Sequence, residues 1–480
     1  MRFSFPKSAI CLAALMLGAC SFAPDYTPPE MPAPAAYKEA GNWVEAKHED
    51  TSSTAAWWKV FGDAQLDGLE DQVTSANQNL KAAVAQYDQA SAIAREARAA
   101  YYPAITVNSG ASRQQLSRTT ANISGNGLYN DYTLGANLSY EIDIWGRVRN
   151  TVAANEDQAE ASADDLAGVA LSLHAELAGD YFALRGDDTA QKILDQTVAD
   201  YQKALNLTQQ RYKGGVAAEA DVDQAETQFE NAETQAADIR LQRAQLEHAI
   251  AILTGKAPAD LNLDPAPLTV KIPSLAAGVP SLLLQRRPDI AAAERRVAAA
   301  NAEIGVARAA WFPDFNLSAA FGVESASPAR WLTAPSEFWS LGPSAMLPIV
   351  QGGAIDALNE EARASYDQQA ANYRQTVLTA YGEVEDNLAA MRQLAQEDKT
   401  QATATTAAER ALAQANNLYK GGDATYLDVV VSQNNELQAK LAAVTIAVRH
   451  LTASAQLIKA LGGGWQTGTP PSPVTVISRD

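Results

Sequence analysis

Cysteine is almost absent from these 480 residues: only Cys11 and Cys20 occur, both within the first twenty. The body of the chain therefore has neither a disulfide framework nor a thiolate metal site, and its fold rests on packing. Basic charge is short as well. Lysine and arginine number 37 against 56 acidic residues, for a net charge of -19 and an isoelectric point near 4.7. That balance excludes nucleic acid as a partner, because phosphate binding needs a basic face. Aromatics make up 7% and mean hydropathy is -0.20. No run reaches the ~18–20 apolar residues of a membrane-spanning helix, so a bundle of lipid-facing helices is not expected. The four histidines, His48, His174, His248 and His450, are scattered, and no glycine-rich phosphate loop is present. No catalytic residue, cofactor or metal site is expected, and the many carboxylates read as solvated faces.

Proline is missing over two long stretches, 147–212 and 354–419. At ~1.5 Å per residue each would form a helix about 100 Å long, far beyond a globular core. Leu166, Val169, Leu173, Leu177, Tyr181 and Leu184 keep three-and-four spacing, as do Val377, Tyr381, Val384, Leu388 and Met391, so these rods should pack in coiled-coil fashion. Each ends at Lys-Gly-Gly and is followed by a return helix, the second with a seam of Leu437, Leu441, Val444, Val448, Leu451 and Ile458. Either Gly214 or Gly215, and either Gly421 or Gly422, should take the left-handed position that ends a helix. Further helical stretches are expected at about 66–100 and 289–310. Alanine, which fills one position in five, suits close-packed helices wet on one side.

The chain is internally duplicated at a period of about 207 residues. Arg98-Ala-Ala-Tyr-Tyr-Pro103 recurs as Arg308-Ala-Ala-Trp-Phe-Pro313, and Arg211-Tyr-Lys-Gly-Gly215 as Leu418-Tyr-Lys-Gly-Gly422. After each proline the hydrophobic period becomes two. Tyr132, Leu134, Ala136, Leu138, Tyr140, Ile142 and Ile144 alternate with polar or small residues, and Phe315, Leu317, Ala319, Phe321 and Val323 do the same. So do Trp339, Leu341, Ala345, Leu347 and Ile349, and more weakly Ile105, Val107 and Ala111. Each copy therefore holds a strand hairpin, about 104–145 and 314–350, with one apolar and one polar face. Strands of this length suit a membrane barrel, although a soluble two-sided sheet would show the same alternation. Four strands cannot close a barrel, so a membrane location requires two, three or four chains to share one.

The N-terminus carries an export pattern: Arg2 and Lys7, then an apolar run from Ala9 to Ala19. Leu17-Gly18-Ala19-Cys20 resembles the lipobox of bacterial lipoproteins, where cleavage precedes the cysteine and its thiol is acylated. An ordinary signal peptide cut after Ala19 is the alternative. Residues 1–19 are thus assigned as signal peptide, Cys20 as the lipidation site, and 20–60, with prolines 24, 28, 29, 32 and 34, as an extended tether.

Several motifs together identify a family. They are Ala23-Pro-Asp-Tyr26, Trp57-Trp-Lys-Val-Phe-Gly-Asp63, Ile142-Asp-Ile-Trp-Gly-Arg147, Arg286-Arg-Pro-Asp-Ile290, Ala302-Glu-Ile-Gly305 and Leu347-Pro-Ile-Val-Gln-Gly-Gly353. In this order they resemble the TolC-like outer-membrane efflux factors, lipoprotein branch, OprM or NodT type. The resemblance implies an α+β membrane protein with long antiparallel helical hairpins forming an α-barrel tunnel. Four strands per chain would join in a shared 12-stranded barrel of a homotrimer. The first repeat would span 61–255 and the second 286–462, with an equatorial connector at 256–285 and a C-terminal tail at 463–480.

The implied function is that of a passive outer-membrane exit duct, working with a periplasmic adaptor and an inner-membrane RND-type transporter to expel drugs or other small compounds. Its location would be the outer membrane, lipid-anchored and reaching into the periplasm. By resemblance the helical tips, 213–217 and 420–424, form the closed periplasmic gate. Tyr419 and Asp428 would line it, Tyr212 and Asp221 would be their first-copy counterparts, and Gly214, Gly215, Gly421 and Gly422 would contact the adaptor. Three Asp428 carboxylates in a ring would raise one another's pKa and favour cations. Equally, Asp221 and Asp428 sit where acids favour the first turn of a helix. Relatives with an arginine two residues past the tip glycine have a charged latch that Ala424 cannot supply. A type I protein-secretion duct and a metal-ion efflux duct are the alternatives. A diffusion porin has no use for the rods, and a fibrous scaffold has none for the strands.

Overall fold

The computed structural model describes residues 21–39, 56–117, 127–273, 284 and 286–465. The signal peptide, Cys20, part of the tether, part of the connector and the tail beyond Trp465 lie outside the described residues. Seven long helices and four strands appear among those described. These are α1 (Ala64–Ala76), α2 (Gln78–Ala99), β1 (Ala104–Gln115), β2 (Leu128–Glu141), α3 (Arg147–Lys213), α4 (Glu219–Leu253), α5 (Pro288–Ala309), β3 (Asp314–Ser325), β4 (Glu337–Met346), α6 (Ala354–Gly421) and α7 (Tyr426–Ala460). The chain divides into two compact units.

One unit contains residues 21–30, Gln86–Ser162 and Ala292–Arg374. Its sheet is an antiparallel meander in the order β1-β2-β3-β4, so the central pair joins the two copies of the repeat. Register brings the apolar positions together across all four strands: Val107 faces Ala136, Ala136 faces Phe321, and Phe321 faces Trp339. Because side chains alternate along a strand, this register gives the sheet one apolar face. The other face carries Asn108, Asn137 and Ala320, with Asn137 Nδ2 donating to Asn108 Oδ1 at 2.7 Å. On the apolar face Val107, Phe321 and Trp339 are exposed, while Trp331 lies against Tyr132 at 6.4 Å. β2 stops at Glu141 and β4 at Met346, short of the alternation that runs on through Ile144 and Ile349. Arg147 pairs with Glu141 at this junction, and Asp143 accepts from the Arg149 backbone N–H at 2.9 Å, which starts α3.

The other unit contains 31–39, 56–85, Ala163–Ala291 and 375–465. Here the predicted stripes are the core: Leu166, Leu173, Leu177, Tyr181 and Leu184 on α3 and Val377, Val384, Leu388 and Met391 on α6 are buried. The single helix expected over 66–100 is instead two. Asn77, buried at the break, caps α2 by accepting from the Leu80 N–H at 2.9 Å and donates to the Leu253 carbonyl at 2.8 Å. With the side chain capping the start of α2 and its own backbone N–H donating to the Val73 carbonyl at the end of α1, the break costs little. α7 is long and apolar enough by mean hydropathy to cross a membrane, although it holds no unbroken apolar run of that length. Leu437, Ile446, Leu451 and Leu457 bury its apolar side, and Lys440, Arg449 and Lys459 lie along it, so it is a core helix.

Residues 57–61 form a short turn that buries Trp57, Trp58 and Phe61. Trp58 stacks on His174 at 4.3 Å, and the His174 ring meets the buried Glu70 carboxyl at 2.6 Å. Burial, helped by Asp67 and Asp71, pushes Glu70 up to about 9, and burial pushes His174 down to about 4. Both are thus neutral, with the carboxyl O–H donating to Nδ1. From its ordinary 4.5 up to about 9 the folded chain holds the Glu70 proton that the unfolded chain has lost, so stability falls as pH rises. From about 4 to 6.5 His174 works the other way, because the unfolded chain holds the extra proton. The two slopes oppose each other in mildly acid solution, leaving a net loss between about 6.5 and 9. Glu70→Gln should flatten the fall of thermal midpoint over that alkaline range; an unchanged slope would show that Glu70 does not carry it.

Candidate functional site

Both hairpin tips reverse in the same way. In the first, Val216 N–H donates to the Arg211 carbonyl at 2.9 Å and Gly215 has φ +75. In the second, Asp423 N–H donates to the Leu418 carbonyl at 2.9 Å and Gly422 has φ +86. This is the six-to-one closure that a left-handed glycine permits. The second glycine of each pair therefore takes the special conformation, while Gly214 and Gly421 stay on the helical side.

Asp221 and Asp428 both occupy the third position of their return helices. Asp428 Oδ2 accepts from the Thr425 N–H at 2.8 Å and from the Thr425 hydroxyl at 2.7 Å, while Thr425 Oγ1 accepts from the Asp428 N–H at 3.4 Å. This reciprocal cap satisfies the helix end. In the first copy Ala218 stands at the cap and has no acceptor, so only half survives: Asp221 Oδ2 accepts from the Ala218 N–H at 3.2 Å. The Thr425 hydroxyl and N–H favour the charged form and hold the Asp428 carboxyl below the usual carboxylate range. Within one chain the shift is thus opposite to the rise expected from a ring of like charges.

The two tyrosines part company. Tyr212 is exposed. Tyr419 packs on a buried cluster of Leu205, Ala225, Tyr426, Val429 and Val430 that joins the two tips. Its ring lies 5.7 Å from that of Tyr426, and the Arg211 guanidinium sits 4.8 Å over it. Sequence reading passed over Arg211 and Tyr426. The available signal was the mismatch in the repeated motif, Arg211 against Leu418, which marks a cation present in one copy only.

Among the described residues, no group of three or more His, Cys, Asp or Glu is placed to hold a metal ion. The candidate features are thus the helix ends at the two tips and, in the other unit, the exposed apolar residues Val107, Phe321 and Trp339 of the sheet.

The profile described as Outer membrane efflux protein matches residues 69–256 and 279–463, one stretch for each copy of the repeat. The chain belongs to the outer membrane efflux protein family. It is 32% identical over 473 residues to the antibiotic efflux pump outer membrane protein ArpC of Pseudomonas putida, covering 96% of this chain and 97% of that one. The pyoverdine export outer membrane protein OpmQ of Pseudomonas aeruginosa is 32% identical over 470 residues, covering 97% and 98%. Among solved structures, the Campylobacter jejuni CmeC outer membrane channel superposes with a TM-score of 0.89 at 26% identity, covering 94% of this chain and 97% of that one. The family thus consists of outer-membrane channels.

Proposed function

We propose that three copies of this chain close a 12-stranded barrel in the outer membrane and serve as the exit duct of a tripartite efflux pump for small molecules. The observation that carries the reading is the sheet. Four strands with exposed apolar residues and, among the described residues, no partner strand on the outer edge of β1 or β4 would leave costly open backbone groups in lipid. Three copies give twelve strands and remove every edge. α3 and α6, at 67 and 68 residues, are each about 100 Å long and suit a periplasmic conduit. Relatives named for antibiotic and pyoverdine export favour small compounds as cargo.

In this reading a periplasmic adaptor engages Gly214, Gly215, Gly421 and Gly422 with their flanks, and an inner-membrane RND-type transporter loads the duct. Cys20 carries the acyl chains that anchor the N-terminus to the outer membrane. Asp428 stays ionised and, repeated three times, makes an acidic aperture; Tyr419, clamped by Arg211 and Tyr426, keeps the tips together, while Tyr212 and Asp221 face their first-copy surroundings. The chain itself performs no chemistry.

The test is mass and conductance of one purified, detergent-solubilised sample. Light scattering should give a trimer, and planar bilayers a small, cation-preferring conductance. Asp428→Ala should raise that conductance or lessen block by divalent cations. A monomer without conductance would sink the shared barrel, and an unchanged variant would remove Asp428 from the aperture.

A further inference from the structure

The segment that follows Cys20 is bound along one stripe of α5. Glu294, Asn301, Gly305 and Arg308 fall at helical spacing on that stripe, and all four serve residues 21–26. The Tyr26 hydroxyl donates to Glu294 Oε1 at 2.6 Å, Asn301 Nδ2 donates to the Pro24 carbonyl at 2.8 Å, and Arg308 Nη1 donates to the Phe22 carbonyl at 3.0 Å. At Gly305 a Cβ would stand 2.3 Å from Asn150 Nδ2 on α3 and 2.8 Å from both the nitrogen and the Cβ of Ala23, so only glycine leaves room for α3 and the chain together. The Phe22 ring stacks on Phe312 at 4.5 Å and on Trp145 at 5.9 Å. These two aromatics stand just before β3 and just after β2. Finally, the Ser21 hydroxyl donates to Asn150 Oδ1 at 3.0 Å, in the first turn of α3.

We propose that this stripe, with the Phe22 slot, is a seat that fixes the membrane anchor at the base of the sheet. The proposal rests on Cys20 being acylated. A free segment of residues 21–30 would let the anchor wander over about 30 Å, whereas Ser21, once pinned, holds the neighbouring Cα within about 3.8 Å. The acyl chains then leave the protein beside the ends of β2 and β3, at the depth where the apolar face of the sheet must begin. Phe22 is a positioning residue: it raises the effective concentration of the sheet at the leaflet that receives the lipid.

The experiment compares Phe22→Ala in the acylated protein and in a form secreted on an ordinary cleavable leader with Cys20→Ser. The readouts are the mass of the N-terminal peptide and the fraction of chain in heat-modifiable, outer-membrane trimers. In the acylated protein Phe22→Ala should lower that fraction several-fold, and Phe22→Trp should restore it. In the unacylated form Phe22→Ala should add nothing. Equal losses in both forms would mean that Phe22 only packs, and no loss in the acylated form would overturn the seat. A native N-terminal peptide lacking acyl mass would overturn the anchor reading itself, and the seat with it.

Discussion

Arg287→Ala is expected to destabilise the solubilised protein by about 3 kcal/mol, the lower end of what breaking a buried ion pair costs. Arg287 is buried in the unit that contains the tips. Its Nε and Nη2 donate to the two oxygens of Asp289 at 2.9 and 2.6 Å, and its Nη1 reaches Glu383 at 2.5 Å and the Ala460 carbonyl at 3.2 Å. One guanidinium thus ties the start of α5 to α6 and to the end of α7. Asp289 and Glu383 are more than two-fifths exposed, so water can take back part of their charge once the arginine is gone. That is why the lower figure applies. Arg287→Lys keeps the charge but loses the forked geometry, and should fall between the two. Thermal unfolding in detergent reads the difference; a loss below ~1 kcal/mol for alanine would mean that the fork is a surface pair in energetic terms.

Gly422→Val should abolish drug export while trimers still reach the outer membrane. No atom lies within 4 Å of a Cβ added at Gly422, so crowding is not the reason. The reason is φ +86. A left-handed conformation costs an ordinary L-residue about 1–2 kcal/mol and is worst for a β-branched side chain. The reversal would then shift, carrying with it the Asp423 closure and the Thr425 cap. Gly422→Asn, which tolerates the left-handed region, should keep export near the native level. Drug susceptibility together with the amount of outer-membrane protein decides the matter. If valine and asparagine behave alike, export does not depend on the backbone conformation of this tip.

Sequence by itself determined the parts whose signal is local. The proline-free stretches and three-and-four spacing marked α3 and α6, period-two alternation assigned the faces of four strands, and the glycine pairs marked the reversals. The duplication and the run of motifs identified the family. Alternation tells which way a side chain points, but not which strand lies alongside; only the register of β2 against β3 shows that the two copies share one sheet. The break at Asn77 was illegible because its reward, the Leu253 carbonyl, lies 176 residues away. For Asp428 the sequence offered both a gate charge and a first-turn acid, and only the structure shows its carboxylate turned onto Thr425. The tether of prolines read as free chain because its partners, Trp145, Asn301 and Phe312, are distant in sequence and carry no shared period. Local patterning follows from the geometry of a helix or a strand and is written in neighbouring residues. Contacts between distant residues exist only once packing has brought them together.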